Sequence, residues 1–167
     1  GSAHHIGPAH RRIGFIADHP GIHTAGERLR GYRTAMADAG LAIDDGWVSL
    51  GTTAPRRVQE AVVAMLGAPE PVTAIFTGNN RVTVTVVRVL AAHHRPVALV
   101  GFDDIELADL LAPGLTVVAQ DAATLGRTAA ERLFHRLDGA ADAPSQVVLA
   151  TRLIARGSGE IPPPADG

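Results

Sequence analysis

From Arg11 onward the chain alternates short apolar, β-rich runs with longer stretches whose apolar positions recur at helical spacing, the pattern of repeated strand-helix-strand units. Ile13-Gly14-Phe15-Ile16-Ala17 predicts a strand, and Asp18-His19-Pro20-Gly21 a turn at its end. Thr24-Ala25-Gly26-Glu27 has the form of a capping box, which starts a helix at Thr24; Leu29, Tyr32 and Met36 share its inner face and Gly40 stops it. Trp47 to Leu50 predicts a second strand, and Val58, Ala61, Val62, Met65 and Leu66 one face of a second helix, closed by Pro69 and Pro71. Val72 to Thr77 predicts a third strand. The next stretch, from about Arg81 to His94, is rich in valine and threonine and has strand propensity, but its spacing and the alternating context predict a buried helix. Val97 to Phe102 is apolar throughout, as a central parallel strand should be, and Asp103-Asp104 closes it. A short helix from Ile105 to Leu111, a turn at Pro113-Gly114, a strand from Leu115 to Ala119, a helix from Ala122 to Leu137 and a strand from Val147 to Ile154 complete the pattern. The tail from Gly159 is expected to be loose. The fold expected is α/β, an open and mostly parallel sheet with helices on both faces.

Composition narrows the function classes. The 167 residues are 46% hydrophobic and 19% charged, so a folded domain is expected rather than a disordered one. No apolar run approaches the length of a bilayer span, and no membrane role is expected. The formal charge is −2, and all 15 Lys and Arg positions are arginine; this balance gives the segment no basic face for nucleic acid. Absence of cysteine excludes disulfides, thiolate metal sites and a cysteine nucleophile, and fits a cytoplasmic protein. Aromatic residues make up 4% of the chain, leaving few rings for a cofactor pocket, and no cofactor is expected. Gly1-Ser2 reads as a tag remnant, with no signal peptide behind it.

In open parallel sheets, ligands lie beyond the carboxyl ends of the strands. The loops there supply Asp18 and His19, Thr52 and Thr53, Asn79 and Asn80, and Asp103 and Asp104, with Arg28 in the first turns of the adjoining helix. Arginine, amides and a carboxylate converging on a cleft suit a sugar or nucleoside. A plainer alternative has Asn79 and Asp103 capping helices and Arg28 solvated.

The strings His10-Arg11-Arg12-Ile13-Gly14-Phe15-Ile16, Glu27-Arg28-Leu29-Arg30-Gly31-Tyr32, Val72-Thr73-Ala74-Ile75-Phe76-Thr77-Gly78-Asn79-Asn80 and Val100-Gly101-Phe102-Asp103-Asp104 resemble, in order and spacing, the lactose-repressor/galactose-repressor family of bacterial transcriptional regulators. Leu115 to Gln120 and Leu153 to Ser158 extend the resemblance. It implies a periplasmic-binding-protein-like sensor of type I, in which two α/β subdomains close on a small effector, a sugar, a sugar phosphate or a purine. The chain resembles the carboxyl-terminal part of such a sensor. Residues 1–10 are then a tag remnant and the end of a truncated helix, and 11–119 the C-terminal effector-binding subdomain. Residues 120–146 would be a crossover normally packed on the N-terminal subdomain, 147–158 a returning strand and 159–167 a loose tail.

By the same resemblance Arg28, Asn79, Asp103, Gln120 and Thr53 are the ligand-binding positions. Asn80 departs from the family's usual aspartate, and Thr53 stands where sugar-binding members often have an aromatic ring. The expected partners are a sugar-like or other polyhydroxyl effector, a second copy of the chain, and operator DNA reached only through an N-terminal domain outside this sequence. Val82, Val86, Val89 and Leu110-Leu111 are the surfaces expected to pair, or else belong to the core. Two other classes stay open: a periplasmic-type solute receptor of the same fold, and a small metal-dependent enzyme using Asp18, His19, His23 and Glu27. No recognised catalytic motif supports the enzyme reading. His93-His94 at a helix end reads as a dipole interaction, and Ser158 as structural.

Overall fold

A computed structural model of the protein describes residues 10–51, 53–93, 95–139, 143 and 145–165. Its sheet has six strands, β1 (Ile13–Ala17), β2 (Val48–Leu50), β3 (Ala74–Thr77), β4 (Ala98–Phe102), β5 (Thr116–Ala119) and β6 (Arg152–Ile154), in the order β2-β1-β3-β4-β5-β6. The first five pair in parallel and β6 joins β5 antiparallel. The helices are α1 (His23–Asp38), α2 (Pro55–Gly67), α3 (Asn80–Ala91) and α4 (Ala122–Leu137). None of them is long and apolar enough to cross a membrane.

Alternation along each strand divides the core into two layers. Ile16, Ile75, Leu99 and Val117 face Val58, Val62 and Met65 of α2 and Val82 and Val86 of α3. Phe15, Phe76, Val100 and Val118 face Leu29, Tyr32 and Met36 of α1. Phe15 lies between the Tyr32 ring, stacked at 5.0 Å, and the Phe76 ring at 5.6 Å. The Tyr32 hydroxyl donates to the Ile13 carbonyl at 2.8 Å, and burial pushes its pKa up to about 12. Both faces are therefore covered, as a parallel sheet requires.

Several local expectations change. The Thr24-Glu27 capping box does not form: α1 starts at His23, its N-cap Ile22 gives no side-chain cap, and Glu27 pairs with Arg30 instead. Gly26 is where the entry loop presses on the helix, since a Cβ there would meet the Pro20 carbonyl oxygen at 2.8 Å. Residues 105–111 are turns rather than a helix, because Leu107 sits at φ 68° and interrupts the helical backbone. Of the strand expected from Val147, Arg152 to Ile154 pair; β5 ends at Ala119 opposite Arg152, so the preceding residues have no neighbouring strand. The tail is held further than expected. Ser158–Glu160 forms a 3-10 turn with Ser158 and Gly159 buried, and the Ile161 carbonyl accepts from the buried His10 ring at 2.8 Å. Val82 and Val86 are fully buried core residues and offer no pairing surface, while Leu107 and Leu110 are exposed.

Candidate functional site

Register carries the site. Ala17 pairs with Leu50, Ile16 with Thr77, Thr77 with Gly101, and Phe102 with Val118. The residues that follow the ends of β1 to β5 therefore emerge along one edge: Asp18, Gly51 and Thr53, Gly78-Asn79, Asp103 and Gln120. Gly78 makes the close approach possible, because a Cβ there would meet the Ala17 Cβ at 2.6 Å.

Arg28 reaches this edge from α1. Its guanidinium lies over the Phe102 ring, 3.8 Å from the centroid, while Nη1 donates to the Gly78 carbonyl at 2.8 Å. The stacked plane and the backbone bond fix a side chain that would otherwise be mobile. Burial is the largest influence on the guanidinium, pulling its pKa below the ordinary value; Asp103 and then Asp18 oppose that pull. It stays cationic.

Two carboxylates flank it. The Asp18 Oδ2 accepts from Asn79 Nδ2 at 2.7 Å, while Asn79 Oδ1 accepts from the Val82 N–H at 2.9 Å. Asn79 is thus the cap of α3 and the donor to Asp18 at once, so the plainer expectation of a helix cap holds for it. Asp103 caps no helix. It sits at φ 68°, its N–H donates to the Val118 carbonyl at 3.0 Å, and its Oδ1 accepts from Gln120 Nε2 at 2.7 Å. A non-glycine residue in the left-handed region is held there by its surroundings and is a frequent mark of a binding site.

Arg28, Asn79, Asp103 and Gln120 are brought to one edge, with Arg28 between the two acid-amide pairs. Thr53 lies half-buried in the turn between β2 and α2, at the side of the sheet away from Asp103. Thr52 and His94 fall outside the described residues. Asn80 is exposed at the start of α3, and Asp104 turns away from Gln120 to bond Arg156. Among the described residues no three His, Asp or Glu side chains are grouped closely enough to hold a metal ion; the His19 Nδ1 accepts from Gly21 N–H. Ser158 is buried, with its hydroxyl donating to the Leu99 carbonyl and accepting from the Thr116 N–H.

Sequence reasoning missed the Phe102 ring beneath Arg28 and the Gly78 carbonyl beside it. The signal was present as an aromatic immediately before the acid pair, but its pairing with Arg28 depends on the packing of α1 over β4.

A family model for the periplasmic binding protein-like domain matches residues 3–159. The chain is 35% identical over 158 residues to the HTH-type transcriptional regulator CelR of Thermobifida fusca, covering 92% of this chain and 46% of that protein. It is 34% identical over 157 residues to the ribose operon repressor of Escherichia coli K12, covering 92% and 48%. The solved structure of a transcriptional regulator CelR-cellobiose complex superposes with a TM-score of 0.81 at 35% identity, over 89% of this chain and 47% of that one. The chain spans about half the length of the curated relatives it matches.

Proposed function

Since the chain belongs to the periplasmic binding protein-like family, among regulators of the lactose-repressor type, we propose that it is the carboxyl-terminal, effector-sensing part of a bacterial transcriptional repressor. It acts by binding, not by bond chemistry, in the cytoplasm. The observation that carries this reading is the Arg28 guanidinium fixed between the Phe102 ring and the Gly78 carbonyl, with an acid-amide pair on each side. Its remaining N–H groups supply donors, Asp18 and Asp103 supply acceptors, and the Asn79 and Gln120 amides offer both. That set matches the paired donor and acceptor demands of vicinal hydroxyls. Thr53 forms an outer rim.

The effector is a small polyhydroxyl compound of the sugar or nucleoside kind. The site lies along an open edge, so the ligand is enclosed by a second subdomain, toward which the crossover that begins at Gln120 leads. Operator DNA is read by a helix-turn-helix domain in another part of the full-length protein. Two copies pair through this subdomain, and the exposed Leu107 and Leu110 are candidates for the contact.

Calorimetry on the full-length protein with a panel of pentoses, hexoses, disaccharides and nucleosides tests the reading. A binder from the panel should lose roughly tenfold to hundredfold in affinity with Asp103→Ala, the equivalent of losing a charge-assisted hydrogen bond of about 1.5–3 kcal/mol. Operator binding by the unliganded variant should survive. Unchanged effector affinity would move the site away from Asp103.

A further inference from the structure

Asp103 and Asp104 are neighbours in sequence but anchored in opposite directions. Asp103 faces Gln120, just past the end of β5. Asp104 is gripped by Arg156, whose Nη1 and Nη2 donate to Oδ1 and Oδ2 at 2.8 Å each, joining positions 52 residues apart. The change of direction occurs at Asp103, where φ is 68°. A backbone in that region persists when its neighbours over-determine it. Asp104 also accepts from its own Ile105 N–H at 3.0 Å, but that bond is local and would travel with the loop.

Arg156 is itself well held. Its N–H donates to Thr116 Oγ1 at 3.0 Å, and Nη1 also donates to the Leu115 carbonyl at 3.2 Å. Glu160 accepts from the Thr116 hydroxyl at 2.9 Å and from the Gly157 N–H at 2.7 Å, closing a ring of bonds around the start of β5. The side chain is 21% exposed. A planar fork already fixed in place can hold a carboxylate with both prongs, which an ammonium group cannot do. The two groups shift accordingly: the Arg156 bond is the largest influence holding the Asp104 carboxyl below its usual range, and Asp104 the largest raising Arg156.

We propose that Arg156 is a positioning residue for the effector site, holding Asp103 in its ligand-facing conformation through the two-pronged bond to Asp104. Arg156 lies by the start of β5, whereas Gln120 follows its end, so it acts on the ligand without touching it. Arg156 also follows β6, the strand that returns from the crossover. The effector loop is thereby tied to the chain leading back from the rest of the protein. The proposal rests on reading Asp103 as a ligand contact.

Arg156→Gln, Asp104→Asn, their double variant and Arg156→Lys in the full-length protein test it, by two readouts. In amide hydrogen exchange, the Asp103 N–H should open about tenfold faster in the Gln and Asn variants, while Leu99 and Val100 in β4 keep their protection. In calorimetry with whichever saccharide or nucleoside binds the parent, both single variants should bind about tenfold more weakly, with the double variant no weaker than either. Arg156→Lys should recover part of the affinity. Parent-like exchange at Asp103 in a folded Gln or Asn variant overturns the proposal, as does faster exchange with parent-like affinity. If Arg156→Gln does not fold, Asp104→Asn, which keeps the shape of the side chain, decides. If the parent binds nothing in the panel, the reading of Asp103 as a ligand contact falls, and exchange at Asp103 alone decides whether Arg156 holds the loop.

Discussion

Helices α3 and α4 invert the relation between local preference and tertiary support. In α3, with the sequence NRVTVTVVRVLA, β-branched residues dominate, a composition that disfavours helix. Yet Val82, Thr83, Thr85 and Val86 are all buried, and Asn79 caps its first turn. In α4, with the sequence AATLGRTAAERLFHRL, good helix formers prevail and Asp121 caps the start through Thr124, but no residue is buried. Leu133, Phe134 and Leu137 are each more than half exposed. One helix is made by the core it fills. The other is made by its own sequence and carries an apolar face that this chain leaves uncovered.

The largest break in that comparison is Val86→Asp. A carboxylate at a position with no solvent access, among Val58, Val62, Ile75 and Leu99, must be desolvated or protonated, at a cost of about 4 kcal/mol or more. Urea denaturation should show a protein largely unfolded without denaturant. A folded variant with a normal midpoint would mean that α3 is held by its own turns rather than by the sheet.

The same contrast explains what was legible in the sequence. Strand positions were readable because each buried strand needs an apolar run, and α3 was readable only by setting its valines against the alternating context. The capping box at Thr24 misled because a local motif competes with tertiary demands, here the loop that brings Pro20 against Gly26. The held tail was hidden behind its prolines: Gly159 lies where a Cβ would come within 3.0 Å of Thr116 and Val100 side chains, a fit set by two distant strands. At the candidate site, Asn79 and Asp103 were legible as polar residues after apolar strands. The left-handed backbone of Asp103 and the ring beneath Arg28 were not, since both follow from non-local packing.

A smaller effect sharpens the comparison within the sheet body. The Asp104 carboxyl is held below its usual range, first by the Arg156 hydrogen bond. A folded-state pKa depressed in this way gives stability that is present above the unfolded value of about 3.9 and is lost as pH falls through the folded value. The side chain is 38% exposed, so solvent screening limits the contribution to about 1 kcal/mol or less. Melting followed from pH 6 down to pH 2 should therefore show a smaller acid-induced loss for Asp104→Asn than for the parent. Equal slopes would leave Arg156 without influence on the charge of Asp104.

The smallest effect belongs to α4. Leu133→Ser removes an apolar side chain that is 57% exposed, and nothing in the sheet body loses a packing partner, because α4 contributes no buried residue. Its cost to this chain should be within about 0.5 kcal/mol, from helix propensity and the little area still covered. Val86→Ala, which empties a filled position in α3, should cost about 2 kcal/mol by comparison. In the full-length protein the ranking should narrow. If residues 120–146 pack on a second subdomain there, Leu133 becomes a core position, and Leu133→Ser should cost about 2 kcal/mol in the longer chain. Paired urea titrations of this chain and the full-length protein would measure both values. A small cost in both would leave the apolar face of α4 without a covering subdomain, and the crossover reading would fail with it.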